Sequence, residues 1–242
     1  MRRSTRFTAG FTLVEMAMVM VIIGLVIGGG LLTAVPVLRG SQSEATKKKM
    51  ETVEQALMAY MMQNSCLPCP AAYAGTGTAA WGTVSSGCET AACASYDGVV
   101  PWVTLGISRS DAADTWGNRI RYGVTTALVA SGSMQRNGTN YGSMGTLTVR
   151  DGGGTTVTTA AAYVLVSHGA NGGFGYNAAS GVQKTGDATH TNEAENNDAD
   201  TTYIQDDVTG AEGANFFDDV VVWKSKPVLI QICGAGACGN PS

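Results

Sequence analysis

The sequence predicts an α+β fold: a long N-terminal α-helix, transmembrane in its first half, packed on an antiparallel β-sheet with loop-rich insertions. Three observations predict it. Across the 28 positions from Phe11 to Leu38 the only charged residue is Glu15. From Gln42 to Gln63, Val53, Ala56, Leu57, Tyr60 and Met61 recur at the three-to-four spacing of one helix face. Beyond Asn64 the chain becomes rich in Gly, Ala, Ser and Thr and carries short β-type runs separated by turn residues. The expected division is a leader over residues 1–10, a helix over 11–64 and a globular domain over 65–242.

Taken in order, the first element is a basic leader with Arg2, Arg3 and Arg6. A helix over Phe11–Leu38 is about 42 Å long, against a hydrocarbon core of about 30 Å, so it can span. No small-residue cleavage pattern follows Leu38, which separates this segment from an ordinary signal peptide. An acid inside an apolar span is costly and is kept for a partner, so Glu15 is a candidate functional residue. Gly24, Gly28, Gly29, Gly30 and Pro36 weaken the helix, by about 0.8–1 kcal/mol for each glycine and about 3 for the proline. On these residues alone a kink at Pro36 is expected. In the amphipathic continuation, Lys47, Lys48, Lys49, Glu44, Glu51 and Glu54 are expected to face solvent or a neighbour.

Helix signals stop at Asn64-Ser65-Cys66-Leu67-Pro68-Cys69-Pro70. Strands are expected at Arg119–Val124, Thr146–Arg150, Ala162–Ser167, Val220–Lys224 and Val228–Ile232. Their sheet must cover an apolar face, and the second half of the helix is the available cover.

Charged residues make up only 14% of the chain and glycine is abundant, a composition that fits a membrane-attached or secreted chain. The net charge of −4 argues against nucleic-acid binding. Six cysteines in close pairs, Cys66, Cys69, Cys88, Cys93, Cys233 and Cys238, imply disulfides in an oxidising compartment. Redox C-x-x-C pairs open helices, whereas Cys66 and Cys69 close one, so a structural role outweighs a redox or zinc site. Two bridges within the first four cysteines and one between Cys233 and Cys238 would use all six.

No catalytic set emerges, and the chain is read as non-enzymatic. Ser167 and His168 are adjacent and point to opposite faces of a strand, which disfavours a nucleophile–base pair. His190 has no Cys or His at metal spacing. From Asp187 to Asp219 there are ten acids and no Lys or Arg. Asp198-x-Asp200-x-Thr202 begins like an EF-hand, but Tyr203 stands where the loop needs Gly and Thr209 where it needs Glu. This stretch is either a solvated loop or the holder of a cation.

The junction Gly10-Phe11-Thr12-Leu13-Val14-Glu15 and the apolar run behind it resemble the N-terminus of type IV pilins and type II secretion pseudopilins. The resemblance implies leader cleavage after Gly10 by a prepilin peptidase, N-methylation of Phe11, a locally extended stretch between Gly24 and Pro36 on assembly, and pairing of Glu15 with the α-ammonium of a neighbouring subunit. Removing one partner of such a buried pair costs about 3–5 kcal/mol, which makes Glu15 a register device. Three further patches resemble the major pseudopilins: Asp114-Thr115-Trp116-Gly117-Asn118 with Ile120-Arg121-Tyr122, Ser167-His168-Gly169-Ala170-Asn171-Gly172, and Asp218-Asp219-Val220-Val221-Val222-Trp223. The resemblance implies calcium near Asn171, Asp218 and Asp219, with Glu195, Asn196 and Asp198 as supplements. Cys69-Pro70 and Asp97–Gly106 resemble a group of pilin-like proteins, and that likeness implies Cys69–Cys93, leaving Cys66–Cys88 and Cys233–Cys238 by proximity. The expected function is a structural subunit of a type IV pilus or pseudopilus-like filament, held in the bacterial inner membrane with its globular domain in the periplasm. Its partners would be other pilin-like subunits and the peptidase–methylase. The alternatives are a minor pilin acting as an adhesin and, less favoured, a membrane-anchored enzyme.

Overall fold

The computed structural model describes residues 12–73, 81–84, 88, 93, 95–198, 200–209, 216–232 and 238, with the backbone alone described at 26–39. The chain divides into two compact units, Met1–Ser41 and Gln42–Ser242. The helix α1, Leu13–Asn64, contributes to both.

Within α1 the backbone is helical through Gly24 and Pro36, so the expected extended stretch is absent from the single chain. In the first unit the side chains from Leu13 to Leu25 are exposed, and apart from Glu15 and Gly24 they are all apolar. Among the described residues no helix is long and apolar enough to cross a membrane.

The second unit is α+β, as its sequence predicts, but its sheet is mixed. After β1 (Asp97–Val99) and the short α2 (Trp102–Leu105) come β2 (Arg121–Val124), β3 (Leu147–Arg150) and β4 (Thr156–Ser167). A five-residue helix, α3 (Thr191–Glu195), precedes β5 (Thr202–Ile204), β6 (Val220–Ser225) and α4 (Lys226–Ile232). The strand order is β1-β2-β4-β3-β5, with β6 on the other side of β4. All pairs are antiparallel except β3–β5, which is parallel and corrects the expectation of a purely antiparallel sheet. β4 is the spine: β2 and β3 follow each other along one side of it while β6 runs along the other.

Alternation along β4 builds two cores. Tyr163 and Leu165 join Met50, Val53, Leu57 and Met61 of α1 in one buried cluster, at the helical spacing read from the sequence. Val164 and Val166 face the other way and pack with Val149, Tyr203, Ile204, Phe217 and Val221. The expected solvent exposure of Glu54 is wrong: it is buried, accepts a hydrogen bond from the Tyr163 hydroxyl at 2.9 Å and pairs with Lys224 at 3.4 Å.

The run Val228–Ile232 is helical, not a strand. Pro227 fixes φ for a first helical turn and has no N–H for a ladder. Lys226 Nζ anchors this turn by donating to the carbonyls of Tyr141 and Ser143. Leu229 is buried while Val228 and Ile232 stay exposed, a helical division of faces.

Candidate functional site

Two assemblies of residues stand out. The first is the start of α1. Thr12 is its N-cap: its hydroxyl accepts from Glu15 N–H, and its own N–H and hydroxyl donate to the Glu15 carboxylate at 2.8 and 2.9 Å. This is a capping box, with a carboxylate at the third helical position satisfying the orphan donor at the cap. Glu15 therefore serves its own helix in the single chain, a role the sequence reading missed although the Thr-x-x-Glu spacing signals it. Gly10 and Phe11 lie outside the described residues.

The second assembly is built where β4 ends and β6 begins. Asp114 first fixes the neighbouring turn: its carboxylate accepts from Trp116 N–H, Asn118 N–H and the Ser167 hydroxyl at 3.0, 2.8 and 2.8 Å. That last bond turns Ser167 away from His168, so the two form no nucleophile–base pair. After Ser167 the chain reverses through Gly169, at φ +54°, where a Cβ would lie 2.1 Å from Asp218 Oδ1. Only glycine permits this approach. Asn171 N–H then donates to Asp218 Oδ2 at 2.8 Å, and the Asn171 amide donates to Glu193 Oε2 at 2.8 Å. Glu193 Oε1 accepts from Asp218 N–H at 3.1 Å. Asn196 donates to Asp219 Oδ2 at 2.9 Å and is held by two bonds to the Ile204 backbone.

The outcome is a buried triad of carboxylates, Glu193, Asp218 and Asp219, each offering an oxygen within 4.8 Å of the others. Asp218 Oδ1, Asp219 Oδ1 and His168 Nδ1 are buried without a hydrogen-bond partner. Such orphans are rare in folded proteins and mark a missing partner. Burial, with the neighbouring Glu193 charge, pushes Asp218 up to about 7, and burial drives Asp219 well above the usual carboxylate range. Burial also holds His168 neutral, down to about 3. The cluster thus favours protons or a cation over three bare negative charges.

Of the residues expected near a cation, Asp218 and Asp219 supply oxygens and Asn171 and Asn196 orient them. Glu195 and Asp198 lie apart, in a separate half-exposed group with Asp200. Glu193, which the sequence reading passed over, takes the place expected for them. The EF-hand-like spacing does not make a loop, because Thr202–Ile204 is β5.

Cys66 bonds Cys88 and Cys69 bonds Cys93, the expected pairing, with Cα separations of 5.9 and 5.5 Å. Cys238 is buried and disulfide-bonded, and Cys233 lies outside the described residues.

Residues 6–31 match the prokaryotic N-terminal methylation motif. The chain therefore carries the prepilin-type cleavage and methylation segment of type IV pilins and pseudopilins. The match covers the end of the leader from Arg6, the junction at Gly10-Phe11 and the apolar start of α1, and the globular unit lies outside it. Comparison with curated proteins finds no match. Comparison with solved structures finds none either.

Proposed function

We propose that this chain is a structural subunit of a filament of the type IV pilin or pseudopilin kind, assembled through α1 and without chemistry of its own. The observation that carries the reading is the methylation motif at residues 6–31, which runs into the start of a 52-residue helix. Leu13 is 87% and Leu25 72% exposed at the two ends of a run with only one charge. A helix apolar on every side needs lipid or other helices around it. In this reading the run from Phe11 to Leu38 first sits in the inner membrane, with the unit that follows in the periplasm, and then packs against other subunits. Cleavage after Gly10 leaves an α-ammonium on Phe11. Burying it among helices requires a carboxylate, and Glu15 of a staggered neighbour supplies one.

Mass spectrometry of the N-terminal peptide from the native chain tests this. N-methylated Phe11 as the first residue, and recovery of the chain in sheared filaments, are expected. An intact leader, or cleavage after Leu38, would sink the reading.

We also propose that Glu193, Asp218 and Asp219 hold calcium. The support is the donor set: carboxylate oxygens on loops and a short helix suit a hard cation with flexible coordination, and two of those oxygens accept no hydrogen bond, Asp219 Oδ1 facing only His168 Nδ1 at 3.8 Å. The ion's chemistry here is purely structural: it would draw the insertion around α3 onto the end of the sheet.

A further inference from the structure

The topology leaves a cleft that the filament reading does not use. Because β2 and β3 succeed one another along the same side of β4, their outer partners β1 and β5 diverge. Between them lies a half-open cavity of about 330 Å³ lined by Ser95, Asp97, Thr126, Asp200 and Tyr203 among others. Its floor is neutral. Asp97 is saturated by Arg121, which reaches both of its oxygens, and by the Tyr73 hydroxyl. Arg121 also ties down the Asp198 carbonyl. The Tyr203 hydroxyl, on a residue only 1% exposed, lies close to the guanidinium but closes no hydrogen bond of ordinary geometry.

The rim is acidic. Glu195, Asp198 and Asp200 bring carboxylate oxygens within 4.8 Å of one another, and none of them is in a salt bridge among the described residues. Partial burial and the neighbouring Asp198 and Asp200 charges raise Glu195, with Arg150 offsetting only part. The guanidinium already faces the hydroxyl, so it is the rim carboxylates, clustered and outside any salt bridge among the described residues, that call for a cation.

The same unit displays one. Lys47 and Lys48 are exposed on α1, whereas Lys49 is committed to the carbonyls of Ser110 and Ala113. Lys47 meets only Glu44, one turn away and itself exposed. The exposed Lys47–Lys48 pair and this acidic cleft are different surfaces of opposite sign. Two such patches join copies head-to-side, the heterologous contact from which open helical assemblies are made.

We propose that the β1–β5 cleft with its rim of Glu195, Asp198 and Asp200 receives the Lys47–Lys48 patch of a second copy of this chain, fixing the lateral contact of neighbouring globular units. This rests on the filament reading. The ammonium donates to the rim carboxylates, so the contact sets register more than bulk affinity.

The test is a charge swap in the full-length chain, read as recovery in sheared filaments. N-terminal processing and thermal melting serve as controls. Asp198→Asn with Asp200→Asn keeps the turn's hydrogen bonds and removes the charge; it should lower recovery with unchanged melting. Asp198→Lys with Asp200→Lys, and separately Lys47→Glu with Lys48→Glu, should each lower recovery about tenfold, the effect of one like-charge contact. All four reversals together should restore it. Equal recovery of every variant, or two losses without rescue, overturns the contact while the wild type in filaments keeps the filament reading. A processed wild type absent from filaments overturns both. Loss of recovery in chelator with neutral Lys47→Glu and Lys48→Glu would make the rim a metal site and overturn the contact.

Discussion

Glu15 stabilises the start of its own helix, and in the filament reading it must also answer a neighbour's charge. The two roles separate by substitution. Glu15→Gln keeps a capping-box acceptor, since Gln serves at this position, but carries no charge. We expect Glu15→Gln to leave processing and membrane attachment intact and to abolish incorporation into sheared filaments, as Glu15→Ala should. If Glu15→Gln incorporates normally, the residue acts through the cap alone. In the second unit Asp114 holds a turn by three acceptor bonds in a buried setting. Asp114→Ala leaves two buried N–H groups and the Ser167 hydroxyl without their acceptor. The expected loss is about 2–4 kcal/mol of unfolding free energy in a denaturant titration; a loss below about 0.5 kcal/mol, the range of an ordinary surface substitution, would show that the turn holds without it. Asp114 stood out in the sequence only through the resemblance of Asp-x-Trp-Gly to the major pseudopilins, and its acceptor role comes from the fold. Glu193 was not: it sits 25 residues before Asp218, on a helix too short to leave a periodic signal, and only the fold brings it to the triad.

Among the elements, those with many residues in register were readable and those with few were not. The second half of α1 declared itself through Val53, Ala56, Leu57 and Met61, and β2, β3 and β6 through their short β-type runs. β4 extends further than read, back to Thr156, because Thr and Ala outside the core carry little alternation. Three-residue strands such as β1 and β5 hold no period at all, so the parallel β3–β5 pair and the mixed character of the sheet were hidden. At Val228–Ile232 an apolar run fits strand and helix alike, and Pro227 was the overlooked deciding residue. The loop after α1 has little secondary structure among its described residues and leans on its bridges, Cys66–Cys88 and Cys69–Cys93. Closing loops of 22 and 24 residues restricts the unfolded chain. Replacing Cys69 and Cys93 together by Ala should cost about 2–5 kcal/mol, seen as a lower melting temperature of the non-reduced protein. An unchanged melting temperature would mean that this bridge crosslinks a part already ordered without it.

At the scale of the whole molecule, both carboxylate clusters come from one long acidic segment that the fold divides in two. Glu193, Asp218 and Asp219 are drawn into the end of the sheet, whereas Glu195, Asp198 and Asp200 are left on a rim. In sequence the ten acids look uniform, and only burial distinguishes them. The buried three repel one another, and raised proton affinity at Asp218 and Asp219 is how the fold tolerates them. A divalent ion that replaces those protons binds only the folded arrangement. It would therefore stabilise the chain by RT ln(1 + [L]/Kd), about 2.7 kcal/mol at a hundredfold excess over Kd. The full-length protein in detergent should melt higher in millimolar calcium than in chelator at matched ionic strength. Magnesium should do less, because it holds its waters in a tight octahedral shell. Glu193→Gln and Asp219→Asn should each shrink the calcium increment, whereas Asp200→Asn, on the rim, should leave it whole. The chelated Asp219→Asn protein should melt no lower than the chelated wild type, since it no longer buries an ionisable oxygen without a partner. Equal melting with and without calcium would leave the triad as a proton-neutralised buried cluster. An increment that survives Asp219→Asn but vanishes with Asp200→Asn would move the ion from the end of the sheet to the rim.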